Sequence, residues 1–254
     1  MSRSRKLIAF SLVSALTFST WGCVAQDAGA IYRQRLEERE KQYAAEPHYS
    51  ARYDIMLVSV DRPAQAKELY GDMSLSKAQT PDASLNIAED QLVKIVWLPP
   101  DRELSLELLN KTGQSLKIPW DESAYVDISS HSHRVVHSGV KFSDRNSSQP
   151  PSIVPSKGRL ADFLYPSDLI SYVPGQYGGW AQPLMFPCVK PRYVCESNHR
   201  QLASAHKGLT YRVLLPLQVG TDIYNYTFTF KVNNVEIVSD KKEDPEKNTS
   251  RVTP

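Results

Sequence analysis

The sequence YNYTFTFKV at residues 224–232 decides the fold class of this protein. Large apolar side chains occupy every second position of this run, and polar side chains fill the positions between them. Successive residues of a β-strand point to opposite faces of a sheet, so the run predicts a strand with one buried and one solvated face. The apolar run LTYRVLLPLQV precedes it at residues 209–219, and the intervening Gly220, Thr221 and Asp222 predict a hairpin.

Shorter runs of the same kind cover much of the chain before this hairpin. They are separated by Pro, Gly, Asn and Asp, and they lie at residues 53–60, 92–98, 104–109, 116–120, 124–128 and 134–136. Helical patterning is weak after residue 50, there is no internal repeat, and strands do not alternate with helices. We therefore predict an all-β domain, a β-sandwich, over residues 51–238.

Two segments depart from this strand pattern. Residues 143–208 are rich in Pro and contain Cys188 and Cys195, and we predict that they form a long loop insertion with a functional role. Residues 239–254 contain almost no apolar side chain and are predicted to be a disordered tail.

The N-terminus has the layout of an export signal. Arg3, Arg5 and Lys6 are followed by an uncharged apolar stretch at residues 7–20. This stretch is shorter than the roughly 20 residues that a permanent membrane-spanning helix needs. A buried N-terminal helix would explain neither the basic start nor the polar sequence after Cys23, so we predict a signal peptide at residues 1–22.

The residues that follow the signal predict a helical spacer within residues 23–50. The sequence IYRQRLEEREKQYAA at residues 31–45 is rich in good helix formers, and Glu37 and Lys41 have the i,i+4 spacing of a helical ion pair. Its apolar residues are too sparse for a buried stripe. A solvated spacer is the first interpretation, and a short coiled-coil contact is the alternative.

The sequence Thr20-Trp21-Gly22-Cys23 resembles the lipobox of bacterial lipoproteins. Gly22 is the small residue that this family places before its Cys, whereas Thr20 and Trp21 depart from the usual pattern. The resemblance implies that Cys23 is the first mature residue and carries acyl chains such as palmitate. Val24, where sorting rules of the family place Asp for inner-membrane retention, implies the outer membrane facing the periplasm. Ordinary signal cleavage that leaves a free thiol is the alternative.

The three cysteines fit an oxidising compartment. If Cys23 carries lipid, Cys188 and Cys195 remain as a pair, and we predict a structural disulfide between them. A bridge across so short a loop stiffens the loop more than it stabilises the fold.

The piece ELSLELLNKTGQSLKIPWDES at residues 103–123 resembles the B–C region of immunoglobulin-like domains of bacterial envelope lipoproteins. The matching residues are Leu106, Leu108, Asn110, Ile118, Trp120 and Asp121. The resemblance implies an immunoglobulin-like β-sandwich. It implies no activity, because function depends on sites rather than on folds.

Charge and motifs exclude several classes of function. Removal of residues 1–22 takes Arg3, Arg5 and Lys6 from the 30 Lys and Arg residues and leaves the 28 Asp and Glu residues unchanged, so the mature chain is close to neutral. Nucleic-acid binding needs clustered basic residues, which are not present. No G-x-S-x-G or H-E-x-x-H motif occurs, and we predict a protein without enzymatic activity and without a cofactor.

Three histidines form the best metal candidate. His131, His133 and His137 have equal parity, so on an extended strand their imidazoles could converge on one face and bind zinc. Against this, no Cys, Asp or Glu nearby completes an obvious ligand set, and surface histidines are the alternative.

A Gly- and Pro-rich loop at residues 172–180 gathers three aromatic side chains. Tyr172, Tyr177 and Trp180 could stack on sugars or anchor a protein partner. In the alternative interpretation, Tyr172 and Trp180 close the open end of the sandwich.

The sequence therefore predicts a lipid-anchored envelope protein that binds another envelope protein or has a structural role. The alternative function is a metal- or glycan-binding module that uses the histidines or the Tyr177 and Trp180 loop.

Overall fold

The computed structural model describes residues 28–45, 48–80, 83–98, 102–176, 178–189 and 195–239. The chain divides into two compact units, Met1–Glu46 and Pro47–Pro254. The predicted signal peptide, Cys23, Tyr177 and the tail beyond Ser239 lie outside the described residues.

The first unit contains helix α1, Ala28–Ala45, which includes the predicted spacer. Tyr32 and Leu36 are exposed on it, as expected for a helix without a buried stripe. Gln34 donates to the carboxylate of Glu38 one turn later, over 3.0 Å.

The regular secondary structure of the second unit is mostly β-strand. The strands are β1 Tyr49–Asp61, β2 Ser74–Gln79, β3 Ser84–Glu89, β4 Val93–Trp97, β5 Leu104–Asn110, β6 Leu116–Ile118, β7 Ala124–Val126, β8 Ser132–His137, β9 Ser152–Val154, β10 Arg159–Pro166, β11 Ser171–Val173, β12 Gly179–Ala181, β13 Thr210–Val219 and β14 Asp222–Ser239. Two short helices join them, α2 Ala64–Tyr70 and α3 Ser197–Ala205. Single 3-10 turns lie at Trp120–Glu122, Phe142–Asp144 and Ser167–Leu169.

Twelve strands form one antiparallel sheet that is nearly closed. Its main path runs β1-β14-β13-β7-β8-β10-β5-β4-β3-β2, and β6 and β9 extend it beside β13. Strand β8 joins the two halves, because Ser132–Arg134 pair with β7 and Val135–His137 pair with β10. The all-β prediction is confirmed. The immunoglobulin-like sandwich is not confirmed, since all described strands except β11 and β12 form one continuous sheet and not two facing sheets.

The hairpin that decided the fold class lies in the middle of one half of this sheet. Val219 pairs with Asp222 across a tight turn, and Gly220 adopts a φ of 61°, which glycine tolerates best. Phe228 and Phe230 face the core, where the Trp97 ring of β4 meets them edge-on at 5.2 and 5.3 Å between ring centroids. Residues 224–232 therefore alternate for the predicted reason, since one face of β14 is buried and the other is more exposed.

The predicted insertion at residues 143–208 differs in part from the structure. Strands β9 and β10 belong to the main sheet, and β10 pairs with both β5 and β8. Strand β10 lacks a clear apolar alternation because buried positions hold Asp162 and Pro166. None of the described residues between 167 and 208 belongs to the main sheet, and we call this segment the excursion.

Candidate functional site

Among the hydrogen bonds that fasten the excursion to the domain, three end on backbone carbonyls of residues 183–188. The Tyr165 hydroxyl donates to the carbonyl of Pro183 over 2.7 Å, and the Tyr53 hydroxyl donates to that of Pro187 over 2.6 Å. The amide of Ala51 in β1 donates to the carbonyl of Cys188 over 2.7 Å. Burial raises the pKa of Tyr165 to about 12, so its hydroxyl keeps the proton that it donates.

The predicted disulfide between Cys188 and Cys195 is present, with 5.2 Å between the two Cα atoms. Both cysteines are buried, and they pack with Ala51 of β1 and Ala203 of α3. The bridge therefore holds the end of the 182–188 loop close to the start of α3.

A separate two-stranded ribbon, β11 with β12, carries exposed aromatic side chains. Tyr172 and Trp180 are direct partners in the ribbon, and their rings lie 5.4 Å apart in an edge-on arrangement. Tyr172, Val173 and Trp180 are 59%, 51% and 41% exposed. These three side chains, with the neighbouring Phe142 and Arg145, are called the aromatic ribbon below.

Phe142 and Arg145 support Trp180 from one side. The ring of Phe142 lies 6.4 Å from that of Trp180, and the Arg145 guanidinium lies 4.9 Å from the Trp180 centroid. Such a cation over an indole face is attracted by the ring quadrupole. The exposure of Tyr172 and Trp180 favours a surface role over the alternative that they close the end of the fold.

The base of the aromatic ribbon is firmly packed. Ile170, which directly precedes β11, is buried with Val136 and Tyr165, and Phe142 and Met185 pack against this small cluster. The aromatic ribbon is thus anchored at its base, while Tyr172, Val173 and Trp180 remain exposed to solvent.

The structure places His133 between two carboxylates. Its Nδ1 lies 2.7 Å from Asp168 Oδ2 and its Nε2 lies 3.3 Å from Asp127 Oδ2. Burial by itself lowers the pKa of His133, but hydrogen bonds to Asp168 and Asp127 outweigh it and raise this pKa above its ordinary value. His133 with these two carboxylates is called the histidine clamp.

Asp127 also organises the turn between β7 and β8. Its Oδ1 accepts the amides of Ser129 and His131 over 2.8 and 2.9 Å. Burial alone raises the pKa of Asp127, but the bonds from His131 and His133 outweigh it and lower this pKa. The clamp leaves neither ring nitrogen of His133 available as a base or a ligand.

The three histidines are not brought together. His131 lies in the turn, 3.6 Å from Asp127, whereas His137 is buried and stacks on Trp120 with 4.4 Å between ring centroids. His133 and His137 are four residues apart along β8, which separates them by about 13 Å. Within the described residues, no group of three or more His, Cys, Asp and Glu side chains is placed to hold a metal ion.

A cleft of about 290 Å³ lies between the β7–β8 turn and the excursion. Its walls are mostly apolar, with Asp127 and His133 at one side, and among the lining residues are Ile128, Leu169, Met185, Phe186, Leu202 and His206. Leu169 and Leu202 remain exposed. Sequence reasoning did not find this cleft, because its walls come from segments far apart in the chain and none has a recognisable motif.

No protein-family model matches the chain, and neither a curated protein nor a solved structure shows significant similarity to it. Among the described helices, none combines the length and the apolar character needed to span a membrane.

Proposed function

We propose that this protein is a lipid-anchored component of the bacterial cell envelope that binds another envelope protein through the aromatic ribbon and has no enzymatic activity. The observation that carries the proposal is the joint exposure of Tyr172 and Trp180 on one face of a ribbon whose base is buried, with Val173 exposed on the opposite face. Neighbouring large apolar side chains that are exposed to solvent are typical of interaction sites.

The chemistry of these side chains supports a protein partner. Tyr and Trp bury large areas and keep a polar atom for hydrogen bonding, and with Arg they dominate the binding energy of many interfaces. The ribbon itself has only two strands and can accept a further strand at an edge. Leu169 directly precedes Ile170 at its base, so the cleft adjoins the same surface.

The N-terminal sequence supports the envelope location. An export signal at residues 1–22 followed by the lipobox-like Cys23 would place the domain outside the cytosol, at the periplasmic side of the outer membrane. Acyl chains on Cys23 would give a stable membrane anchor, because two or more chains bind far more strongly than one. The disulfide between Cys188 and Cys195 fits that compartment.

We also infer that the domain is an immunoglobulin-like sandwich whose two sheets are joined along one side. Support comes from β8, which exchanges its partner midway, and from the packing of Trp97 in one half against Phe228 in the other. A solved structure of a relative with two separate sheets would support this inference, and one with a ladder between β1 and β2 would oppose it.

Affinity capture from detergent-solubilised envelopes tests the binding function. The bait is the whole protein, compared with a Tyr172→Ala/Trp180→Ala variant and an Ile153→Ala control, since Ile153 is 60% exposed on β9. We expect the same captured protein with wild type and control, and its loss with the double variant at unchanged melting temperature. Equal capture by all three baits contradicts the proposal.

A glycan-binding module is the second candidate, favoured by the same exposed rings. Tyr172 and Trp180 are inclined at 66° and could contact two faces of one saccharide. Isothermal titration with soluble peptidoglycan fragments separates the two functions. Heats that disappear in Trp180→Ala support the glycan, and an absence of heat with the wild-type protein excludes it for these fragments.

A further inference from the structure

The nearly closed sheet has one seam that is not held by a backbone ladder. Strands β1 and β2 are the two ends of the strand path, and among the described residues no backbone pairing joins them. Everywhere else along that path, neighbouring strands pair through their main chains. Something other than a ladder must therefore hold β1 against the β2–β3 edge.

Asn86 of β3 supplies this connection. Its side chain points inward beside the core, at a position of the strand where alternation favours an apolar residue, and it is buried. The amide of Leu57 donates to Asn86 Oδ1 over 2.9 Å, and Asn86 Nδ2 donates to the carbonyl of Ile55 over 3.2 Å. Both bonds cross from β3 to the backbone of β1.

The two bonds have the pattern of a peptide group in a parallel ladder. There, one residue donates to the carbonyl of residue i−1 and accepts from the amide of residue i+1 of the neighbouring strand. The Asn86 carboxamide does the same on either side of Met56. A single side chain thus takes the place of a missing strand residue at this point.

Two ion pairs also cross the seam. Arg62, directly after β1, pairs with the buried Asp90, directly after β3, and this pair holds one end of the seam. Lys77 of β2 pairs with Asp54 of β1 over 2.5 Å, but their side chains are 26% and 49% exposed. An ion pair so open to solvent contributes little to stability. Beside it lies a groove of about 340 Å³ whose lining includes Met56, Val58 and Leu75, all three exposed.

We propose that Asn86 is a side-chain clasp that holds the sheet closed, and that the domain opens locally at the seam between β1 and β2 before it unfolds. Opening breaks the two Asn86 bonds and the exposed ion pair, while the ladder between β1 and β14 and the buried Arg62–Asp90 pair beyond the strand ends stay intact. Since a local opening exposes less surface than global unfolding, its free energy depends less on denaturant.

Amide hydrogen exchange of the disulfide-intact protein in increasing low concentrations of urea tests this proposal. We expect the exchange rate of the Leu57 amide to depend little on urea. The slowest amides of the β13–β14 ladder should exchange only through global unfolding, so their rates should depend strongly on urea. In Asn86→Ala, the Leu57 amide should exchange at least about tenfold faster, which is the factor expected for the loss of one ordinary hydrogen bond.

Asn110→Ala is the matched control. Asn110 is also a buried asparagine that bonds to backbone carbonyls, those of Gln114, Val154 and Pro155, but it lies away from the seam. This variant should lower the free energy of global unfolding. The exchange rate of the Leu57 amide should still depend only weakly on urea. If Leu57 follows global unfolding in the wild-type protein, the clasp does not open separately and the proposal is overturned. The wild-type measurement therefore tests the proposal even if the Asn86→Ala variant does not fold.

Discussion

The main sheet and the excursion use the same residue types for different purposes. In β14, Tyr226, Phe228 and Phe230 are buried and form the core of the domain. In the excursion, Tyr172 and Trp180 stand on a short ribbon with their rings largely exposed to solvent. The sheet buries its aromatic side chains, whereas the excursion buries Phe186 against the core and leaves Tyr172 and Trp180 exposed. Variants in the two regions should therefore have opposite effects on folding and on binding.

A buried charge network in the sheet should give the largest loss of stability. Asp90 Oδ2 accepts from Arg62 Nη1 over 2.7 Å and from the Tyr226 hydroxyl over 2.8 Å, and the Arg62 and Asp90 side chains are 6% and 0% exposed. Asp90→Ala leaves Arg62 charged, buried and without its carboxylate. We expect the free energy of unfolding to fall by about 3–5 kcal/mol, measured by urea denaturation.

An exposed pair in the same sheet provides the control for that experiment. Glu107 of β5 contacts Arg159 of β10 over 2.6 Å, and both side chains are well exposed. Glu107→Ala should cost less than about 1 kcal/mol. Equal losses in the two variants would show that burial does not set the strength of the Asp90 network.

Removal of the disulfide should have the next largest effect, centred on the excursion. The bridge closes a loop with a sequence separation of 7. For Cys188→Ala/Cys195→Ala we expect a loss of about 2 kcal/mol, and faster proteolytic cleavage within the excursion than within the sheet. Limited proteolysis with mass mapping checks this, and first cleavage within β13 or β14 would contradict it.

The histidine clamp should make a smaller, pH-dependent contribution. Because the folded pKa of His133 is raised, its stabilisation is fully present below the ordinary histidine pKa of about 6.5 and is lost as pH rises through the higher folded value. We expect less than about 1 kcal/mol, as for a partly exposed ion pair. The difference in melting temperature between wild type and His133→Gln should shrink as pH rises from below the ordinary histidine pKa to well above it. A difference that grows with pH would contradict the clamp.

The aromatic ribbon should give the smallest change in stability. Tyr172→Ala/Trp180→Ala removes large but exposed side chains, and such surface changes stay within about 0.5 kcal/mol each. Thermal unfolding checks this directly. A loss of several kcal/mol would mean that the rings support the fold and would weaken the case for a binding surface.

The sequence was sufficient to predict the sheet where one face is apolar and the other polar. The β13–β14 hairpin and the strand at Leu104–Asn110 both alternate, and both are found. The sequence places strand β10 in the insertion because the segment is rich in Pro and lacks an apolar alternation. One interruption is Asp162, which is buried and accepts the Ser138 amide over 2.9 Å. In a sequence, such a buried polar side chain is indistinguishable from a loop residue, because the distant amide that bonds to it is not apparent.

The candidate site was predictable only in its parts. The pairing of Cys188 with Cys195 follows from counting once Cys23 is set aside, and the Tyr172 and Trp180 loop stands out by composition. Residue parity placed His133 and His137 on one strand, but parity does not show that Asp168 and Asp162 lie beside them. The cleft and the Asn86 connection depend on tertiary contacts and have no local signal.

Site-specific photocrosslinking in the native envelope tests the central claim most directly. A photoreactive amino acid at Val173 of the ribbon is compared with the same amino acid at Ile153, which is at least as exposed and lies on a different strand. Binding through the aromatic ribbon predicts one discrete crosslinked protein from position 173 and none from position 153. Absence of any adduct at position 173, or the same adduct from both positions, would contradict it.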